Sequence, residues 1–299
     1  MTGATGFVGG AMLTRAVAAG WHVRALTRRP QPERAGVTWI AGALDRPDTL
    51  AEMAHGSEVV VHVAGVVNVP TRADFEAGNT LATGHVVDAA RRARVARFVH
   101  VSSLAAREPD LSNYSWSKAR AETIVQASGL DWTIVRPPAV FGPGDTEMLD
   151  LFRMARRGIV LLPPRGRMSA IYVDDLARLL VALADERHRS IGQVYEPDDG
   201  RPNGWSHRAF AQAIGRAVGR SHVSTFAVPA PILKAGGRID PFVRRRRAKL
   251  TVDRAHYIAH PDWVVADGAV PPSALWAPEI ATGEALAETA RWYRAQGWL

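Results

Sequence analysis

Short β-branched runs alternate with helical stripes through the first half of the chain, and the period of each predicts its element. Phe7 to Ala19 puts Val8, Met12, Leu13, Ala16 and Val17 on one face of a helix that Gly20 would end. His22 to Thr27 reads as a strand. Glu58 to Val63 reads as another, and its unbroken valines predict burial on both faces. A helix is expected over Asp74 to Arg94, a strand over Arg97 to Val101, a helix over Ser112 to Ser128 and a strand over Trp132 to Arg136. Strands and helices in this order, joined by right-handed crossovers, predict an α/β fold with a Rossmann-type, doubly wound parallel sheet.

After Arg136 the pattern is interrupted at Pro137-Pro138, Gly142-Pro143-Gly144 and Pro163-Pro164. A strand over Ser169 to Val173 and a helix over Asp174 to His188 resume it, and beyond Gly192 the segments are short and rich in proline. The expected organisation is a dinucleotide-binding domain over residues 1–165, with 169–190 packing back on it, and a smaller C-terminal substrate lobe over 191–299. The first strand is truncated, because only Met1 and Thr2 precede the first glycine of the turn. A strand averages about five or six residues, so the native chain is expected to begin upstream of Met1.

Composition narrows the function. With 299 residues, 47% hydrophobic and 22% charged, the chain can bury a full core. No apolar run reaches the length of a membrane span and no secretory signal is visible. The absence of cysteine excludes disulfides, thiolate catalysis and zinc–sulfur sites and fits a cytoplasmic protein. The net charge of +8 raises nucleic acid as a partner. The arginines are scattered, however, and the one dense run, Arg244 to Arg247, lacks any accompanying nucleic-acid motif, so it is read as a solvated edge. His256 and His260 are four apart with no third ligand in view, so no metal is expected.

Two stretches carry chemistry. Gly3, Gly6 and Gly9 are spaced G-x-x-G-x-x-G and run into a helix, with Thr5, Phe7 and Val8 among them. Glycines let the backbone turn tightly and let a diphosphate reach the N–H groups at a helix N-terminus. Tyr114 and Lys118 stand four apart on a predicted helix, so their side chains share a face about 6 Å apart along the axis. A phenol is a poor base at neutral pH, and a neighbouring ammonium group favours its ionised form. Only three lysines occur in the chain, which gives Lys118 added weight. Ser102 and Ser103 end the preceding strand, where a hydroxyl could hold a substrate oxygen or cap a turn. No acid stands at the end of the second strand, whereas Arg28 and Arg29 do. That favours NADP over NAD, with NAD the alternative.

In combination these stretches resemble the extended, epimerase/dehydratase-like branch of the short-chain dehydrogenase/reductase superfamily. The likeness rests on TGATGFVGG at 2–10, HVAG at 62–65, the Asn79 helix, VSS at 101–103, YSWSK at 114–118, RPPAVFGPGD at 136–145 and IYVDDLA at 171–177. It implies that Ser103 orients substrate, that Tyr114 is the acid/base, and that Lys118 bonds the nicotinamide ribose and tunes the tyrosine. It further implies that Asn79 supports the site, that Ala64 and Gly65 follow the adenosine half, and that the segment Pro137 to Val140 lines the nicotinamide. A homodimer through the helices bearing Asn79 and Tyr114 would suit the family.

Two departures matter. Ser103 and Tyr114 are only 11 apart, which trims the loop that shapes the pocket in many sugar-nucleotide enzymes. Leu104-Ala105 replaces the Asp-Glu pair of the sugar-nucleotide dehydratases, which argues against dehydration. The expected activity is hydride transfer between a nicotinamide and a carbonyl or secondary alcohol of a small-molecule substrate. The rivals are a sugar-nucleotide epimerase and a non-catalytic cofactor-binding subunit.

Overall fold

The computed structural model describes residues 1–185, 190–244 and 250–299, and the side chains of all of these except 241–244. The side chains of the arginine run at 244–247 and the predicted helix end at His188 lie outside the described residues. In chain order the elements are α1 (Phe7–Ala18), β1 (Val23–Thr27), β2 (Val37–Ala41), α2 (Pro47–Ala54), β3 (Val59–His62) and α3 (Arg72–Phe75). A π-helical turn (Glu76–Leu81) leads into α4 (Ala82–Arg92) and β4 (Arg97–Val101). Next come a 3-10 turn (Leu104–Arg107), α5 (Asn113–Gln126), β5 (Asp131–Val135), β6 (Ala139–Phe141), α6 (Leu149–Arg156), β7 (Ile159–Leu162), β8 (Arg167–Met168) and β9 (Ala170–Tyr172). The chain ends through α7 (Val173–Asp185), β10 (Gln193–Tyr195), β11 (Trp205–Ser206), α8 (His207–Ala217), β12 (Ser224–Ala227), α9 (Ala230–Arg244), α10 (Val252–Ala259), β13 (Asp262–Trp263) and α11 (Thr282–Ala295).

These elements form two compact units. The first comprises Met1–Pro137, Leu176–Glu196 and Pro271–Trp276, and the second Pro138–Asp175, Pro197–Val270 and Ala277–Leu299. The boundary expected at 165 therefore falls inside the second unit, which begins at Pro138. Residues 138–165 belong there because β6 pairs with β9 and β7 with β12, partners that lie far along the chain.

The first unit is a parallel α/β sheet of the Rossmann type. Strands β10, β5, β4 and β3 are hydrogen-bonded in that order, and β1 pairs with β2, all in parallel. Met1 and Thr2 join the two sets. Thr2 N donates to Val61 O at 3.1 Å, Leu26 N donates to Met1 O at 3.0 Å, and Thr2 bridges His62 in parallel. Two residues thus occupy the central place of a β2–β1–(Met1–Thr2)–β3–β4–β5–β10 order, the doubly wound arrangement. Every residue of β4 is buried, as both-face coverage requires. Leu50 and Met53 of α2, Val86 and Val87 of α4 and Val125 of α5 pack with Leu26, Ile40, Val60, Phe98 and Ile134 of the strands into one apolar core. β2 and α2 lie in a stretch where the sequence pattern predicted no element.

The second unit holds short strand pairs, β6 with β9 and β7 with β12, and the three-stranded β11–β8–β13. Asp175 accepts Glu279 N and Ile280 N at 3.1 and 3.3 Å, which fixes the segment entering α11. Among the described residues no helix is long and apolar enough to cross a membrane.

Candidate active site

Five adjacent parallel segments of the first unit end at the same edge of the sheet, and candidate residues follow each end. Gly3 follows Thr2, Arg28 follows β1, Ala64 and Gly65 follow β3, Ser102 and Ser103 follow β4, and Pro137 follows β5. In open α/β sheets ligands bind at this carboxyl edge. Val140, grouped with Pro137 by its sequence, instead lies on β6 of the second unit, where its register partner is Ile171.

The glycine turn is tightly specified. Gly3 has φ of +74°, and a Cβ there would stand 2.7 Å from Ala64 N. A Cβ on Gly9 would stand 1.9 Å from Gly3 O. Such contacts forbid a side chain, so α1 starts directly against the turn. Gly6 N donates to Gly3 O at 3.0 Å, and Gly6 caps α1 with no side-chain bond to its N-terminal amides. Thr5 and Gly6 are exposed, and Phe7 and Val8 are half-buried. A bare, glycine-lined helix N-terminus of this kind fits a dinucleotide pyrophosphate, through peptide N–H groups and the helix dipole.

Thr27 shapes the end of β1. Its hydroxyl donates to Arg29 O at 2.7 Å, turning the backbone and leaving Arg28 and Arg29 exposed. Pro137 is tied to the serine loop, because its carbonyl accepts Leu104 N at 3.0 Å while Ser102 N donates to Val135 O at 2.7 Å.

Asn79 does not sit on a regular helix. The predicted helix over 74–94 is split by the π turn, and Asn79 lies in that wide turn, a feature frequent at functional sites. Its Oδ1 accepts Val66 N at 2.8 Å, and its Nδ2 donates to Val66 O at 3.0 Å and to Ser117 Oγ at 2.9 Å. Ser117 Oγ in turn donates to Tyr114 O at 2.8 Å. Asn79 therefore fastens the loop after β3 to the helix that carries Tyr114 and Lys118.

That helix, α5, begins at Ser112, whose Oγ accepts Ser115 N at 3.0 Å. Tyr114 is half-buried with its ring 6.0 Å from that of Phe75. Lys118 is buried, and its ammonium donates to Val101 O at 2.9 Å, two residues before Ser103. Burial pushes the lysine down from 10.5 to about 8, against the opposing pull of Glu122. The nearest atoms to a Cβ built on Gly65 include Asn79 Oδ1 at 2.9 Å and Lys118 Nζ at 3.9 Å. Asn79, Gly65, Lys118 and the β4 end are thus brought together. Ser103 caps the 3-10 turn, its Oγ accepting Ala105 N at 3.2 Å, so the oxygen is an acceptor there and the O–H remains a donor.

Several residues around the site carried no assignment from the sequence. His62 is buried between Thr2 and Thr83, with Nδ1 2.7 Å from Thr2 Oγ1 and Nε2 3.0 Å from Thr83 Oγ1, and Thr83 donates to Asn79 O at 2.6 Å. Burial, then Lys118 and the chain's amino group, push His62 down to about 3, so it is neutral. His100 stacks on it at 5.3 Å and neither of its ring nitrogens has a partner. A histidine inside a strand between apolar neighbours was the available signal. Ser102, the other hydroxyl read at the end of β4, donates to Glu122 Oε1 at 2.5 Å, Arg136 binds both Glu122 oxygens at 2.9 and 2.6 Å, and Glu196 receives Arg136 and Arg107 at 3.4 and 3.1 Å. No local spacing announces that ladder.

A family model described as NAD(P)H-binding matches residues 3–187. The chain is 37% identical over 309 aligned residues to the ceramide reductase of Caulobacter vibrioides, an alignment covering 100% of this chain and 95% of that one. It is 34% identical over 232 residues to a 4-hydroxy-2-methyl-3-oxo-4-farnesyl-3,4-dihydroquinoline-1-oxide ketoreductase of Stigmatella aurantiaca, covering 68% of each. A UDP-glucuronic acid 4-epimerase from Bacillus cereus in complex with NAD superposes with a TM-score of 0.74 over 98% of this chain and 97% of its own, at 16% identity, a likeness of fold.

Proposed function

Because the chain belongs to the NAD(P)H-binding family, within the extended short-chain dehydrogenase/reductase superfamily, and is an NAD(P)-dependent enzyme, we propose that it reduces a ketone on a ceramide-type lipid. One observation carries the choice of reduction and of substrate. The alignment with a ceramide reductase, 37% identical overall, covers all of this chain, the second unit included, and so supports a shared substrate as well as a shared nucleotide site. A second relative is also named a ketoreductase, on a farnesylated substrate.

The site residues divide the work. The amides around Gly3, Thr5, Gly6, Phe7, Val8 and Gly9 hold the pyrophosphate, and Ala64 and Gly65 flank the adenosine half. Arg28, exposed at the end of β1 with no acid beside it, meets a 2′-phosphate, which makes NADP the preferred cofactor. When bound, the nicotinamide supplies the hydride. Tyr114 donates its phenolic proton to the substrate oxygen as negative charge develops there, and Ser103 donates a hydrogen bond to the same oxygen. Lys118, a buried cation one helical turn from Tyr114, stabilises the phenolate that remains and holds the ribose. Pro137, tied to Leu104, borders the nicotinamide end. Asn79 acts through Val66 and Ser117 and is a positioning residue. The second unit is proposed as the substrate lobe.

The test is NADPH consumption with a ketone-bearing ceramide, by the wild-type protein and by Tyr114→Phe. The variant is expected to lose about 10²–10⁴-fold in turnover while cofactor affinity stays within about twofold. Unchanged turnover would remove Tyr114 from the mechanism. Purification with tightly retained NAD, and inversion of a sugar nucleotide without net NADPH consumption, would replace reduction with epimerisation.

A further inference from the structure

Six of the eight large exposed apolar side chains among the described residues belong to the second unit. Ile159 and Leu161 project from β7 and Phe226 from β12, each more than half exposed, and Leu161 and Phe226 are register partners. Partners across a strand pair share a face, so these two side chains lie side by side in solvent. Three residues after β12, α9 begins. Ile232 and Ile239 on it are 61% and 59% exposed, with Lys234 and Arg238 exposed beside them. At 100° per residue, Pro231, Ile232, Ala235 and Ile239 form one outward stripe with Lys234 and Arg238 along its edge.

Basic residues outnumber acids around these elements, with Asp150 ahead of β7 and Asp240 on α9 as acids. Residues 151–173 contain five arginines and no acid, and residues 200–239 contain five arginines, one lysine and no acid. Arg156 and Arg157 precede β7, Arg165 follows it, and Arg220, which precedes β12, donates to Arg156 O at 2.9 Å. An apolar stripe edged by basic residues is the make-up of helices that lie in a membrane interface. Aliphatic Ile and Leu have nothing to gain from a polyphosphate, which argues for lipid over nucleic acid.

We propose that the outer stripe of α9 docks this enzyme on an anionic bilayer, with Ile232 and Ile239 entering the acyl boundary and Lys234 and Arg238 meeting headgroup phosphates. The occupant follows in part from the lipid-substrate reading above, since a ceramide-type ketone resides in a bilayer. The charge and the exposed aliphatics are independent of that reading.

The experiment is co-sedimentation of the whole protein with phosphatidylglycerol/phosphatidylcholine vesicles and with pure phosphatidylcholine vesicles, at low and high salt. The expected result is partitioning at least about tenfold stronger to the anionic vesicles, falling with salt. The double variant Ile232→Asp/Ile239→Asp should lose about tenfold or more while keeping its circular dichroism and cofactor affinity. Equal partitioning to both vesicle types, or a double variant that binds like wild type, overturns the proposal. So does a wild-type dimer, without vesicle binding, that the variant converts to monomer, since the face would then join two copies. Turnover of a water-soluble short-chain ketone without vesicles separates the two readings. Activity there without vesicle binding overturns docking alone, and vesicle binding without activity on any ketone overturns reduction alone.

Discussion

Asn79 Nδ2 donates to Ser117 Oγ at 2.9 Å, so a residue in the π turn after α3 is fastened to the residue immediately before Lys118. The same amide group clasps both backbone polar groups of Val66. Asn79→Ala leaves three buried or half-buried polar groups without this partner. The expected cost is about 1–3 kcal/mol in urea unfolding, with turnover falling further than cofactor affinity. A stability within about 0.5 kcal/mol of wild type would show that these bonds do not hold the loop.

The glycine turn separates two adjacent positions. Gly9→Ala drives a methyl into Gly3 O, whereas the same change at Gly10 meets only Ala4 O, at an ordinary 3.6 Å. Overpacking of this kind typically costs about 1–3 kcal/mol, and displacing α1 should weaken cofactor binding by at least about tenfold. Fluorescence titration of both variants checks this. Equal affinities for Gly9→Ala and Gly10→Ala would mean that the turn does not set the site.

Lys118 gives a pH dependence of definite sign. Its pKa is about 8 when folded and near 10.5 when unfolded, so between those values the unfolded chain binds the extra proton. Stability therefore rises with pH across that window, by about 3 kcal/mol if the full shift is realised. Below pH 8 both states are protonated and the penalty of burying the ammonium is fully present. The difference in unfolding free energy between wild type and Lys118→Met, followed from pH 7 to 10.5, should narrow as pH rises; a flat difference would contradict the buried cation.

Cofactor preference rests on Arg28. A charge-assisted hydrogen bond is worth about 1.5–3 kcal/mol, so Arg28→Ala should weaken NADPH roughly ten- to a hundredfold and leave NADH nearly unaffected. Calorimetric titration with both nucleotides decides it. Equal losses for the two, or tighter NADH binding by the wild type, would remove the preference for the phosphorylated form.

The legible parts of the sequence were those with local signals. Glycine spacing running into a helix located the turn from Gly3 to Gly9, and the apolar periods found α1, β1, β3, α4, β4, α5 and β5. The π turn escaped because one extra residue per turn barely disturbs the apolar stripe between Phe75 and Val86. β2 escaped because Val37–Ala41 is short, with Ile40 alone buried and Ala41 exposed, so its pattern is weak. Residues 138–165 fall in the second compact unit because their strand partners lie at 170–172 and 224–227, and pairing over such distances leaves no periodic trace. Met1 and Thr2 were legible as a truncated first strand from their place before the glycine turn, and their bonds to Val61 and Leu26 put them in the sheet.

The chain of charges from Ser102 through Glu122, Arg136 and Glu196 to Arg107 restricts how this protein can change. Both carboxylates are almost fully buried, and each is neutralised by a guanidinium contributed from elsewhere in the sequence. Removing one partner of a buried pair costs roughly 3–5 kcal/mol, while exchanging the whole set for apolar groups can cost little. Descendants of this sequence should therefore retain all four ionic residues or lose them together, and a variant altered at Glu122 alone should be rescued by a second substitution at Arg136.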